Sequence, residues 1–215
     1  LLGRWLVEHG FKVGIAAQPN WRDPEDIARL GRPRLLAGVT SGALDSMLAH
    51  YTAFKKKRRD DAYTPGGQAG ARPDRAVIVY ANLVRQAFPG LPVLLGGIEA
   101  SLRRISHYDF WSGKLRRPIL LDAKAECLLY GMAENSLLTA CRRLEQAPDQ
   151  PAASLLLGLA GGAVMGRESD LPLELEVIRL PSHEEMEKDP AKLVQATLSL
   201  ERQVHQGKAW AVQPV

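Results

Sequence analysis

The chain has 215 residues, of which 46% are hydrophobic and 24% charged, and its 28 Lys and Arg against 24 Asp and Glu give a formal charge of +4. That balance is ordinary for a globular protein with one main domain, and so mild a charge names no partner by itself. The longest weakly polar stretch, residues 152–165, is too short and too interrupted by glycine to supply the ~20 apolar residues of a membrane span. Cys127 and Cys141 are the only cysteines and lack Cys-x-x-Cys spacing. A disulfide scaffold or structural zinc site is therefore not expected, and a reducing, cytoplasmic location is.

Taken in order, residues 1–9 carry an apolar stripe at helical spacing (Leu1, Leu2, Trp5, Leu6), with Gly10 as a stop. Leu1 is not an initiator, and Arg4 and Glu8 do not fit a signal peptide. A helix entered without a cap implies a first strand lost upstream. Phe11 to Ala17 is expected as a strand, and Asp23-Pro24 as an N-cap with Pro at the first helical position. Leu35 to Val39 reads as a strand, and Thr40 or Ser41 as the cap of a helix carrying Leu44, Met47, Leu48 and Tyr51. Residues 55–72 are charged, then rich in Gly and Pro, which suggests an ordered excursion over the sheet edge. Pro73-Asp74 opens a helix with Val77, Tyr80, Ala81, Val84 and Phe88 inward.

The organising stretch is Pro92 to Trp111. Val93, Leu94 and Leu95 read as a strand buried on both faces, ending at Gly96-Gly97, where the backbone can turn sharply and be closely approached. Polar residues gather after that turn, at the strand's carboxyl end, where open α/β sheets bind ligands. The candidate ligand-binding set is Thr40, Asp45, Gly96, Gly97, Glu99, Ser101, Arg103, Arg104 and His107. Arg103 and Arg104 suit a carboxylate or phosphate, while Glu99 and Asp109 offer them internal partners instead. His107 suits either a proton donor near pH 7 or a packed, hydrogen-bonded ring. Trp111 reads as a core or domain-contact residue or as a stacking platform.

Cys127 to Tyr130 is a last parallel strand, and Glu134 to Leu144 a helix with Leu137, Leu138, Cys141 and Leu144 inward. Alternating strand and helix up to residue 146 gives the expected class: α/β, a doubly wound, mostly parallel, flavodoxin-like sheet with its first strand missing. Residues 147–215 form a connector and a small α+β extension. There Leu173 to Val177 alternates as an antiparallel strand, Ser182 and Glu185 form a capping box, and Asp189-Pro190 starts a helix to about His205. Residues 209–215 begin an element that breaks off, so both ends read as cut.

Several long strings are distinctive: Gly-Val-Thr-Ser-Gly-Ala-Leu-Asp-Ser-Met (38–47), Asp-Asp-Ala-Tyr-Thr-Pro-Gly-Gly (60–67), Arg-Pro-Asp-Arg-Ala (72–76) and Leu-Gly-Gly-Ile-Glu-Ala-Ser-Leu-Arg-Arg-Ile-Ser-His-Tyr-Asp-Phe-Trp (95–111). With Arg-Arg-Pro-Ile-Leu-Leu-Asp-Ala-Lys-Ala (116–125), Leu-Tyr-Gly-Met (129–132) and Val-Ile-Arg-Leu-Pro (177–181), the chain resembles the N-terminal region of YgiQ-type radical SAM proteins along nearly its whole length. The resemblance implies residues 1–146 as an accessory α/β domain, cobalamin-binding-like in topology, and 147–215 as an extension leading to a missing partial (β/α) barrel. That barrel would hold a [4Fe–4S] cluster on a Cys-x-x-x-Cys-x-x-Cys loop and cleave S-adenosylmethionine. Two cysteines cannot form the loop, so no cluster, metal or S-adenosylmethionine ligand, and no catalytic residue, is assigned to this chain. The His-bearing loop of cobalamin-binding domains would follow the missing strand, so no cobalamin ligand is assigned either.

The leading expectation is a cap or substrate-side domain, inactive alone, whose partners are its own missing barrel and an unknown substrate. Two rivals remain: an RNA-binding module using the basic run Lys55 to Arg59, and a flavodoxin-like enzyme binding a nucleotide at the 40 and 96 turns.

Overall fold

A computed structural model of the chain describes residues 1–171, 176–206 and 209–215. It divides into two units, Leu1–Arg104 with Ile119–Met165, and Ile105–Pro118 with Gly166–Val215.

The first unit opens with helix α1 (Leu2–Glu8), stopped where Gly10 takes a left-handed φ of +90°. Residues 11–17, expected as a strand, form none. Gly14 interrupts an apolar pattern only a few residues long, and Val13 and Ile15 stay exposed, with the Ile15 side chain beside Gly3 of α1. Helix α2 (Pro24–Ala28) begins as expected, Asp23 Oδ1 accepting from the Glu25 N–H at 3.0 Å with Pro24 at the first helical position.

Strand β1 (Ala37–Val39) then leads to helix α3 (Ser46–His50), and here the expected cap shifts. Thr40 and Ser41 do not cap α3. Their hydroxyls are spent inside an intervening turn, Thr40 Oγ1 accepting from Gly42 N–H and Ser41 Oγ donating to the Leu44 carbonyl. Asp45 is the cap, accepting from Met47 and Leu48 N–H at 2.9 and 3.3 Å.

Helix α4 (Ala76–Ala87) buries Val77, Tyr80, Ala81 and Val84, and strand β2 (Val93–Leu95) follows with all three side chains buried. Burying each such aliphatic side chain is worth roughly 1.5–3 kcal/mol. Helix α5 (Gly97–Leu102) leaves β2 directly at the glycine pair. After an excursion into the second unit the chain returns as helix α6 (Ile119–Ala123), strand β5 (Cys127–Leu129), helices α7 (Glu134–Gln146) and α8 (Ala152–Leu156) and strand β6 (Gly162–Ala163).

The sheet order is β1-β2-β5-β6, parallel from β1 to β5 (Gly38 opposite Leu94, Leu94 opposite Cys127), with β6 antiparallel to β5. The fold is therefore mixed α/β around a mostly parallel sheet. Its parallel strands lie in chain order, so the reversal that defines a doubly wound sheet is not found among the described residues. Side-chain alternation divides the core. Val93, Leu95 and Leu128 pack in one cluster with α4 and α6, while Leu94, Cys127 and Leu129 pack in another with α7 and α8.

The second unit holds a hairpin, β3 (His107–Asp109) antiparallel to β4 (Lys114–Arg116). Strand β7 (Val177–Arg179), helices α9 (His183–Lys188) and α10 (Pro190–Gln206) and strand β8 (Trp210–Val212) complete it. Of the alternating stretch expected at 173–177, residues 173–175 lie outside the described residues. Val177 begins β7, and its pairing with Trp210 of β8 is parallel rather than antiparallel. Leu180, Met186 and Ala196 form this unit's core with Ile105 and Leu115. The Ser182–Glu185 capping box closes reciprocally at 3.1 and 2.7 Å. Among the described residues no helix is long and apolar enough to cross a membrane.

Candidate functional site at the carboxyl edge of the sheet

β1, β2 and β5 all end at one edge of the first unit, at Thr40, Gly96 and Tyr130. The β2 turn is tight for a definite reason. Gly97 has φ +80°, and a Cβ there would collide with Thr40 Oγ1. Only glycine satisfies both the dihedral and the approach.

Beneath this edge lies a buried network centred on Glu99, which is 1% exposed. One carboxylate oxygen accepts from Ser46 N–H of α3 at 2.8 Å, the other from Val77 N–H of α4 at 3.0 Å. Ser46 Oγ accepts from Ala76 N–H at 3.0 Å. Helix α4 needs these borrowed caps because its own N-cap, Arg75, sits in the left-handed region and offers no side-chain oxygen. Arg103 donates both to Asp45 Oδ2 and to the Glu99 carbonyl, so α5 is fastened to the start of α3.

A second buried pair ties down residues 60–72. Arg72 Nε and Nη2 grip both oxygens of Asp61 at 2.7–2.9 Å, and Nη1 reaches the Ser41 carbonyl at 3.2 Å. Burial raises the Asp61 pKa, but the Tyr63 N–H, Arg72 and Thr64 together outweigh it and hold the carboxyl below its ordinary range. Nearby, Asp74 accepts from Tyr51 Oη and pairs with His50 Nδ1, both at 2.7 Å. Burial opposes ionisation of Asp74, and these two partners with Lys57 overcome it, so its pKa also falls.

The sequence-derived candidates thus occupy different situations. Asp45 and Glu99 are buried and hydrogen-bonded to helix N-termini. Ser101 Oγ donates back to the Gly97 carbonyl at 2.8 Å. Arg104 donates to the Ser101 carbonyl at 2.8 Å, with its guanidinium carbon 5.0 Å from the Tyr130 ring centroid. His107 lies in the second unit, Nδ1 donating to the Ile105 carbonyl at 3.1 Å. Sequence reasoning assigned no site role to Ser46, Asp61, Arg72 or His50, and read Asp74 only as part of the opening of a helix that begins at Ala76. It also missed exposed apolar side chains in the segments that leave this edge: Ile98 and Leu102 on α5, and Met132, which is 93% exposed, just beyond β5.

Among the described residues no group of three or more His, Cys, Asp or Glu is placed to hold a metal ion. Cys127 and Cys141 do not fit an iron–sulfur site. Both are buried, and burial pushes their thiols up to about 12 and about 11, away from the thiolate that iron requires.

Comparison with known proteins decides the family. The Radical SAM N-terminal family model matches residues 1–214. The chain belongs to this family. It is 52% identical over 196 residues to a UPF0313 protein of Thermotoga neapolitana, which covers 91% of this chain and 33% of the relative. UPF0313 proteins of Geobacter sulfurreducens and Rhodopseudomonas palustris are 49% and 44% identical, covering 94% and 97% of this chain and 33% of each relative. The chain thus spans about a third of the length of the curated relatives it matches. No solved structure matches it.

Proposed function

We propose that this chain is the accessory domain of a radical S-adenosylmethionine enzyme and that the carboxyl edge of its sheet is the face presented to the catalytic portion. The observation that carries this reading is the sorting of side chains there. Asp45 and Glu99 are consumed by backbone N–H groups, while the aliphatic side chains Ile98, Leu102 and Met132 stay exposed, as does Thr40 at the Gly97 turn. A face with its acids internally neutralised and its aliphatic side chains exposed suits contact with another folded surface. The family and the threefold greater length of the relatives support the same reading.

In this role Thr40, Gly96, Gly97, Ser101 and Arg104 stand at the rim, where Arg104 would meet a substrate carboxylate or phosphate. Asp45, Glu99 and Arg103 position that rim without touching substrate. Of the original candidates, His107 belongs to the second unit and is proposed as a separate contact. The cluster and S-adenosylmethionine would be held by the catalytic portion and would supply the radical; this chain contributes shape and charge. A cytoplasmic location goes with such a reducing chemistry.

Footprinting tests this. In a full-length family member, hydroxyl-radical oxidation at the position of Met132 and hydrogen exchange over 97–104 should both be slower than in this chain alone. Equal rates in the two would remove the docking face. This chain alone is expected to show no S-adenosylmethionine cleavage under reducing conditions.

A further inference from the structure

Apart from Lys57, which helps to hold Asp74 charged, the basic run at 55–59 takes no part in the acidic networks described above, and the structure gives it a definite shape. Residues 51–57 form a tight hairpin. Lys55 N–H bonds to the Thr52 carbonyl at 2.9 Å, Thr52 N–H to the Lys56 carbonyl at 2.9 Å, and Tyr51 bridges Lys57 in antiparallel fashion. Lys55 takes the left-handed φ of +59° that a three-residue hairpin loop requires at its last position. The loop is anchored at its base. Arg58 N–H bonds to the His50 carbonyl at 2.8 Å, and Arg58 Nε donates to the Leu48 and Tyr51 carbonyls at 3.2 Å.

This geometry places Phe54 at the tip, 86% exposed, with residues 53–59 all exposed around it. An aromatic ring held out in water on a braced turn, flanked by Lys55, Lys56, Lys57 and Arg59, offers an open stacking face among cations. We infer that this hairpin binds single-stranded nucleic acid, a base stacking on Phe54 while the flanking cations meet phosphates. Arg58 is excluded from the contact set because its Nε holds the loop closed. Lys57 is shared with Asp74, whose carboxyl it helps to hold in the charged form. A membrane surface fits less well. Phe54 is the single large apolar side chain of residues 52–57, with Thr52, Ala53 and lysines as neighbours, so the loop has no apolar face to embed. The inference goes beyond the accessory role proposed above and does not depend on it, since the hairpin shares no residue with the docking face.

The test uses this chain, a fluorescein-labelled 12-nucleotide single-stranded RNA of mixed sequence, and phosphatidylserine vesicles as a separate arm. Anisotropy should show saturable RNA binding at 50 mM salt. Its affinity should fall steeply with salt, with a log–log slope of about −2 for three phosphate contacts. Phe54→Ala should weaken binding roughly tenfold. The double variant Lys56→Ala, Arg59→Ala should bring the slope about 1.4 closer to zero. These side chains are exposed, so unchanged thermal unfolding is expected of each variant. No binding at 50 mM salt overturns the inference. So does RNA binding that all the variants leave intact, or vesicle binding that exceeds RNA binding and is lost with Phe54.

Discussion

The Glu99 carboxylate accepts a hydrogen bond from the Ser46 backbone N–H across 53 residues of sequence, at 2.8 Å and out of contact with water. With the second bond, from Val77, one side chain on α5 satisfies one first-turn N–H in each of two other helices.

Glu99→Ala is expected to lower unfolding free energy by about 3 kcal/mol, because two buried N–H groups lose their acceptor. Glu99→Gln should lose about half as much, since its carboxamide keeps one acceptor and turns a donor toward the other N–H. Urea unfolding followed by circular dichroism checks the order wild type, Gln, Ala. A Gln variant as stable as wild type would show that the negative charge contributes nothing.

Gly97→Ala carries two penalties. The left-handed dihedral costs about 1–2 kcal/mol, and the new methyl meets Thr40 Oγ1. Thr40→Ala removes the second penalty and leaves the first. A double-mutant cycle should therefore show coupling of about 1 kcal/mol in the sense that Thr40→Ala rescues Gly97→Ala. Additive effects would mean that the close approach carries no energy.

The Asp61–Arg72 pair gives a pH dependence of known sign. The folded-state pKa of Asp61 lies below its ordinary value of 3.8, so the folded state binds this proton less readily than the unfolded state. Its stabilisation is fully present at pH values above the unfolded pKa and is lost as pH falls through the lower folded value. Asp61→Asn leaves Arg72 buried without its counter-charge and should cost about 3–5 kcal/mol at pH 7. The gap between wild type and variant should narrow below about pH 4. Denaturation midpoints from pH 7 down to pH 3 provide the comparison.

Lys55→Gly should leave the hairpin in place and raise stability slightly, by about 0.5–1 kcal/mol, because glycine adopts the left-handed loop position without a Cβ penalty. A loss of stability in thermal unfolding would mean that the Lys55 side chain contributes more than its backbone strain costs.

The elements legible in the sequence are those whose signals are local. The run Val93–Leu95 ended by two glycines, the Asp23-Pro24 and Ser182–Glu185 caps, and the inward face of α7 appear where spacing and capping chemistry place them. What was not legible depends on residues far apart in the chain. Asp45 displaces Thr40 and Ser41 as a cap only because residues 40–44 make an extra turn. Glu99 reads as a ligand-facing acid from its position after Gly-Gly. Its actual partners are backbone groups 53 and 22 residues away, which carry no signature in side-chain identity. Residues 11–17 look like a strand by composition, yet pairing depends on a neighbour that the sequence does not specify. The Asp61–Arg72 pair sits inside two of the distinctive strings, and its mutual burial emerges only once the excursion folds back.

The two thiols have a practical consequence. Cys127 is fully enclosed in β5 and Cys141 is 3% exposed in α7, so an alkylating reagent reaches them only when that region opens. Mass-spectrometric labelling at these two positions would then time the opening of strand and helix separately, with the unaltered polypeptide serving as its own clock.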